Sequence, residues 1–215
     1  GLSEPQWVDA MDAIARLDTA VAEQTIRDVE RLDRLENEIE ARAVRVLALR
    51  QPMAQDLREV ICALKISSDL ERVGDLSKNI AKRTLVLNQE EPVRIIQSLS
   101  RMGRLALTEL KDALDAYAER DANQALVVWR RDEDLDERDN SLFRELLTYM
   151  MEDPQTIGLG IHLMFVAKNL ERIGDHATNI AESIYYLVQG RNIRDERPKG
   201  TFPTLPANAG NGSAD

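Results

Sequence analysis

Glu71 and Asp75 stand in the stretch LERVGD (70–75), and Glu171 and Asp175 in LERIGD (170–175), 100 residues further on; each stretch is followed by Asn-Ile-Ala, at 79–81 and 179–181. Carboxylates spaced four apart share one face of a helix. Hard cations take oxygen ligands, and facing helices of a bundle can assemble carboxylate metal sites. A helix turns about 100° per residue, which brings Glu71 and Asp75 to within about 20° of Leu64. That direction also carries Leu57 and Ile61, and Met164, Glu171 and Asp175 repeat the pattern in the second copy. The acids therefore continue an apolar stripe, where a bare carboxylate is costly unless something compensates it.

Partners can be counted from the turns, because residues equidistant from the turn of an antiparallel hairpin are level. Asp175 lies 21 residues after Pro154 and Asp132 lies 22 before it; Glu171 lies 17 after and Asp136 18 before. In the first copy Glu71 is 19 after Pro52 and Asp33 is 19 before, while the residue level with Asp75 is Val29. The candidate metal ligands are thus Asp33, Glu71, Asp75, Asp132, Asp136, Glu171 and Asp175. Asp28 and Glu36 are partial substitutes in the first copy, as is Asp139 in the second.

Three readings compete: a cation held by the acids, ion pairs with the adjacent Arg72 and Arg172, or a solvated groove. Duplication of the same acids at fixed spacing favours the cation. Gly74 and Gly174 each cost about 1 kcal/mol against alanine inside a helix, which implies close approach of a neighbouring helix or of a bulky cluster. The two histidines, His162 and His176, both lie in the second copy. His176 reads either as a peripheral ligand or as a lone surface residue. The Glu-x-x-His pairs of di-iron oxidases are absent, which argues against oxygen chemistry. There is no Gly-rich phosphate loop, no HExxH and no Ser-His-Asp set with a plausible nucleophile turn.

The elements that must position these acids are helices. Apolar residues recur with period 3–4 almost throughout, giving six expected helices at 5–17, 19–50, 53–88, 93–119, 122–151 and 155–189. Asp18 and Asp121 read as N-caps, and Pro52 and Pro154 as stops. The repeat reaches past the motif: DAMDAIARLD (9–18) matches DALDAYAERD (112–121), and RQPMAQDL matches EDPQTIGL. The chain is therefore expected to be all-α, two pseudo-symmetric three-helix bundles. Residues 1–89 form the first repeat, with a shortened first helix. Residues 90–189 form the second, and the polar stretch 190–215 a disordered tail.

Composition narrows the class. The net charge of −10 argues against a nucleic-acid binder, which needs a basic stripe. One cysteine, Cys62, cannot make an internal disulfide and fits a reducing compartment. Lying in VICALKI, it reads as core. Trp7, Trp129, Tyr149, Met150 and Met151 read as core or interface. No apolar run approaches the roughly 18 residues of a membrane span. A soluble protein of a reducing compartment, such as the cytoplasm, is expected.

Two copies of LER(V/I)GD followed by NIA, each after a long helix and a proline turn, together with RQPMAQDL and LLTYMMEDPQTI, resemble the PhoU family of bacterial phosphate-uptake regulators across residues 7–189. The resemblance implies two three-helix bundles and a non-enzymatic, negative regulator of phosphate uptake and of the phosphate-starvation response. Such a regulator is an adaptor between the Pst phosphate ABC transporter and a phosphate-sensing histidine kinase. It is often a homodimer and is associated with the membrane only indirectly. Some members hold iron or zinc clusters through Glu/Asp-x-x-x-Asp motifs, and others are linked to magnesium or manganese. Carried over, those motifs fall on Glu71 and Asp75, on Glu171 and Asp175, and on Asp132 and Asp136, with Asp33 left alone where Val29 interrupts the fourth. The alternatives are a structural helical interaction module without metal and a carboxylate-bridged metalloenzyme.

Overall fold

A computed structural model of the chain describes residues 19–87 and 95–193, with side chains throughout except at 19–28, 85, 86 and 132–134. The expected helix 5–17, the cap Asp18, the joint at Pro92 and the stretch beyond 193 lie outside these residues. The described residues form α1 (Thr19–Arg50), α2 (Gln55–Leu87), α3 (Ile95–Glu119), α4 (Ala122–Arg130), α5 (Asp132–Glu152), a 3₁₀ turn (Pro154–Thr156) and α6 (Ile157–Gln189). No strand occurs among them, and none of their helices is long and apolar enough to cross a membrane.

The expected single helix over 122–151 is two helices. Arg131 ends α4 at φ −80 and ψ −9, its N–H bonding the Val128 carbonyl at 3.0 Å. Its guanidinium Nη1 meets Asp112 Oδ2 of α3 at 2.6 Å. The break is thus held by a tertiary contact, and neither glycine nor proline marks it in the sequence. The cap at Asp121 is as expected: its carboxylate accepts from the Asn123 and Gln124 amides at 2.8 and 3.1 Å. Asp121→Ala is expected to cost about 1 kcal/mol, measured as a lowered denaturant midpoint at constant slope. An unchanged midpoint would show the cap to be idle.

Prolines end the long helices because they lack the amide that the next turn needs. α1 stops at Arg50 before Pro52, and α5 stops at Glu152 before Pro154. In the first joint Gln51 and Ala54 take left-handed conformations, with φ 45 and 50. In the second, Asp153 accepts from the Gln155 amide at 2.9 Å. Both joints span four residues, 51–54 and 153–156, so α1–α2 and α5–α6 are matching antiparallel hairpins.

The core gathers round α6, which packs against α2, α3, α4 and α5, whereas α1 packs on α2. Ile80, Leu135, Leu146, Leu163, Ile173, Ile180 and Ile184 are among its fully buried side chains. Trp129 is 3% exposed and donates Nε1–H to Glu182 at 2.8 Å. Met151, expected as core or interface, is 82% exposed in this chain.

Three contacts set how the two hairpins meet. The Cys62 thiol points at the Ser183 carbonyl at 3.4 Å, Asp69 Oδ1 meets His176 Nδ1 at 2.9 Å, and Arg83 Nη1 meets His162 Nδ1 at 3.2 Å. Each step forward on α2 is matched by an equal step back on α6. The two helices are therefore antiparallel, and they are level at residues 72–73 and 172–173, inside the repeated motif. Cys62 is fully buried, as expected, and burial pushes its thiol up from the ordinary range.

Candidate functional site

The first seam lies between α1 and α2. Val29 and Leu32 of α1 rest on Gly74, whose missing side chain would put a Cβ 3.0 Å from Leu32 Cδ1 and 3.5 Å from Val29 Cγ1. Val29 is 1% exposed, so where the acid series is interrupted it supplies packing. That register brings Asp33 and Glu36 towards Glu71 and Asp75. Glu71 is 18% exposed, with Oε2 3.5 Å from Arg72 Nε. Burial pushes the Glu71 carboxyl up, Arg72 draws it back, and Asp75, Glu36 and Asp33 push it up further. Asp33 Oδ1 is buried with no hydrogen-bond partner among the described residues.

The second seam lies between α5 and α6, with Leu135 pressed on Gly174 as Leu32 is on Gly74. Asp132 opens α5, but its side chain is outside the description. Asp136 is half-buried and acts on Asp139. Asp139, expected only as a substitute, faces Lys168 of α6. Lys168 Nζ stands 2.7 Å from Glu171 Oε1 and 3.8 Å from Asp139 Oδ2. Glu171 is 12% exposed, and its other oxygen is buried with no hydrogen-bond partner among the described residues.

Burial raises the Glu171 carboxyl, the Lys168 hydrogen bond and charge lower it, and Asp175 and Asp139 raise it again. Asp139 is likewise raised, by burial first, with Lys168 opposing and Asp136 adding. Burial pulls the Lys168 ammonium down, but Glu171, Asp139 and Asp175 outweigh it and hold the group above its ordinary value. In the first copy Asp33 and Glu36 thus act on Glu71 across the hairpin, and in the second Asp139 acts on Glu171. Among the described residues, however, no group of three or more His, Cys, Asp or Glu closes tightly enough to hold a metal ion.

Two participants were not foreseen. Lys168 is one turn before Glu171 and shares its face, so spacing alone could have found it. Glu109 of α3 is 1% exposed, with Oε2 3.1 Å from where a Gly174 Cβ would stand. Its place among Met102, Ala106 and Ala113 on the buried stripe of α3 was the available signal. His176 faces α2 of the other copy, where Asp69 receives it.

The geometry defines a duplicated all-helical protein whose paired long helices meet along carboxylate seams. The family model described as "PhoU domain" matches twice, at residues 3–84 and 99–184. The phosphate-specific transport system accessory protein PhoU homolog of Caulobacter vibrioides is 54% identical over 93% of this chain and 87% of its own length. That of Rhizobium meliloti is 49% identical over 93% and 84%. The crystal structure of PhoU from Pseudomonas aeruginosa aligns with a TM-score of 0.83 at 39% identity, covering 87% of this chain and 90% of that one. That of the phosphate transport system regulatory protein PhoU from Streptococcus pneumoniae aligns at 0.79 and 32%, covering 88% and 89%. The chain belongs to the PhoU family.

Proposed function

We propose that this chain is an accessory regulator of phosphate-specific transport, acting without catalysis on the cytoplasmic side of the membrane. It restrains phosphate uptake and phosphate-starvation signalling by linking the transporter to its sensor kinase. The observation that carries this reading is the 54% identity, over 93% of the chain, to a protein named as an accessory of that transport system. The test is capture of the tagged full chain from phosphate-replete cells. Transporter and kinase subunits in the captured material support the adaptor; a sample containing neither overturns it. Size measurement of the same sample decides whether the chain is a homodimer.

The seams carry the donor chemistry of the cation that the family implies, although among the described residues no three of their acids close round one point. Their donors are hard oxygens, and Asp33 Oδ1 and Glu171 Oε2 are buried without hydrogen-bond partners among the described residues. Buried carboxylates of this kind need a positive charge. Asp33, Glu71 and Asp75 would hold it in the first copy, and Asp132, Asp136, Glu171 and Asp175 in the second. A divalent ion such as manganese, magnesium, iron or zinc would supply charge neutralisation and a tie between facing helices. A cation at 100 times its dissociation constant adds about 2.7 kcal/mol. Chelation of the protein as isolated is therefore expected to lower Tm by roughly 5–10 °C, at some 2–4 °C per kcal/mol for a chain of this size. An unchanged Tm, with no metal by elemental analysis, would remove the cation.

A further inference from the structure

The second hairpin carries apolar side chains on a face that no described helix covers. On α6, Gly160 faces Met150 and Gly174 faces Leu135 of α5, His162 and His176 face Arg83 and Asp69 of α2, and Leu170 faces Gly103 of α3. A helix turns about 100° per residue, so Ile157, Ile161 and Phe165 point between α5 and α2, away from α3. On α5, Leu135 and Met150 face α6, and Glu145 meets Ser98 of α3 at 3.3 Å. By the same turn, Phe143, Leu147 and Met151 lie across the direction of α6 from Glu145. Counted from the joint 153–156, Met151 is level with Ile157, Leu147 with Ile161 and Phe143 with Phe165, so the stripes form one two-helix face. The six side chains are between 40% (Leu147) and 82% (Met151) exposed. Together they equal about three wholly exposed side chains, or roughly 600 Å² at about 200 Å² each. Apolar patches of more than a few hundred Å² mark contact surfaces. A stable interface takes about 800 Å² from each partner, so the six supply the apolar core of one and leave a polar rim to complete it.

Charge argues for what covers this face. No carboxylate stands among the six. Two chains each at −10 repel, and they meet closely only where that charge is absent. The ends of the face are opposite in sign. Glu152 and Asp153 stand at the tip, and Arg144 and Arg83 at the other end, the Arg83 guanidinium lying 4.1 Å over the Phe165 ring. A twofold axis that runs two such hairpins antiparallel lays each tip on the far end of the other. Apolar side chains then meet apolar ones, and Glu152 and Asp153 come beside Arg83 and Arg144. The first hairpin has no equivalent: Leu49, Met53 and Leu57 are exposed there, but Arg45, Arg50 and Arg58 are interspersed with them. We propose that the α5–α6 face docks the same face of a second copy of this chain, as an antiparallel four-helix contact. The proposal deepens the homodimer reading above and needs neither transporter nor kinase.

Sedimentation equilibrium of the full chain tests it. The wild type is expected to be a dimer. Ile161→Glu weakens it at least about 100-fold (~2.7 kcal/mol), because it buries an unpaired charge at the centre of the contact. Met151→Glu, at a position too exposed to disturb the core, weakens it at least about tenfold and decides the matter if Ile161→Glu fails to fold by circular dichroism. Leu49→Glu, on the first hairpin, leaves the dimer intact. A dimer that Ile161→Glu and Met151→Glu both leave intact, or that Leu49→Glu splits as fully, overturns the face while the homodimer stands. A monomeric wild type overturns face and homodimer together and leaves the adaptor to the capture experiment. In that case, transporter subunits lost from the capture with Ile161→Glu assign the face to that partner, and a Tm lowered by Ile161→Glu assigns it to a segment of the same chain.

Discussion

Ile173→Ala is expected to lower the free energy of unfolding by about 2–5 kcal/mol, the cost of a buried cavity in a site that relaxes only partly. Ile173 is 0% exposed and sits where α2 and α6 stand level, within the motif that both copies share. Its loss removes apolar contact from the core at the level where the two copies meet. At roughly 2–4 °C per kcal/mol for a chain of this size, the loss is readily measured by thermal unfolding. Val188→Ala, at a position 39% exposed, is the control and is expected to stay within about 0.5 kcal/mol of wild type. A loss at Ile173 no larger than at Val188 would show that the level of the motif is not a packing centre.

Gly174→Ala is expected to fall about 1–3 kcal/mol below the same substitution at Gly158, the usual cost of overfilling a packed core. At Gly174 a methyl would overlap Leu135 Cδ2 and stand 3.1 Å from Glu109 Oε2. Both neighbours are 1% exposed and have little room to move. At Gly158 a methyl meets nothing within 4 Å, so alanine there gains up to about 1 kcal/mol in helix propensity. Gly74→Ala should fall between the two. Its close neighbour is the tip of Leu32 at 3.0 Å, on a half-buried side chain with freedom to rotate. The order Gly158, Gly74, Gly174, from most to least stable, is read from denaturant midpoints; equal midpoints would deny that the glycines exist for helix approach.

Much of this was legible because helices translate spacing into direction. The turn at Pro154 sets the register of α5 on α6, so counting from it places acids of the two helices face to face. The motif glycines announced close approach, and the neighbour is in each case a leucine from the facing helix. What spacing could not show is which acid reaches across. Asp139 meets Lys168 because of side-chain length and rotamer, which a count of residues does not contain. The break at Arg131 was invisible for a related reason. VVWRRDEDL reads as continuous helix, and the contact that accompanies the interruption, Arg131 with Asp112, comes from another helix. Val29 looked like damage to a ligand set, yet once Gly74 is beside it, it is a packing residue. A count of acids does not contain Lys168, although it lies one turn from Glu171 on the same face.

The placing of α6 at the centre has a consequence for biosynthesis. Ribosomes deliver about 5–20 residues per second, and the roughly 70 residues between Leu87 and Ile157 take several seconds to emerge at that pace. Throughout that interval the face of α2 that packs on α6 has been made and its partner has not. The nascent polypeptide must carry uncovered oily surface until the last long helix clears the tunnel, and this is the stage at which holdase chaperones would find it.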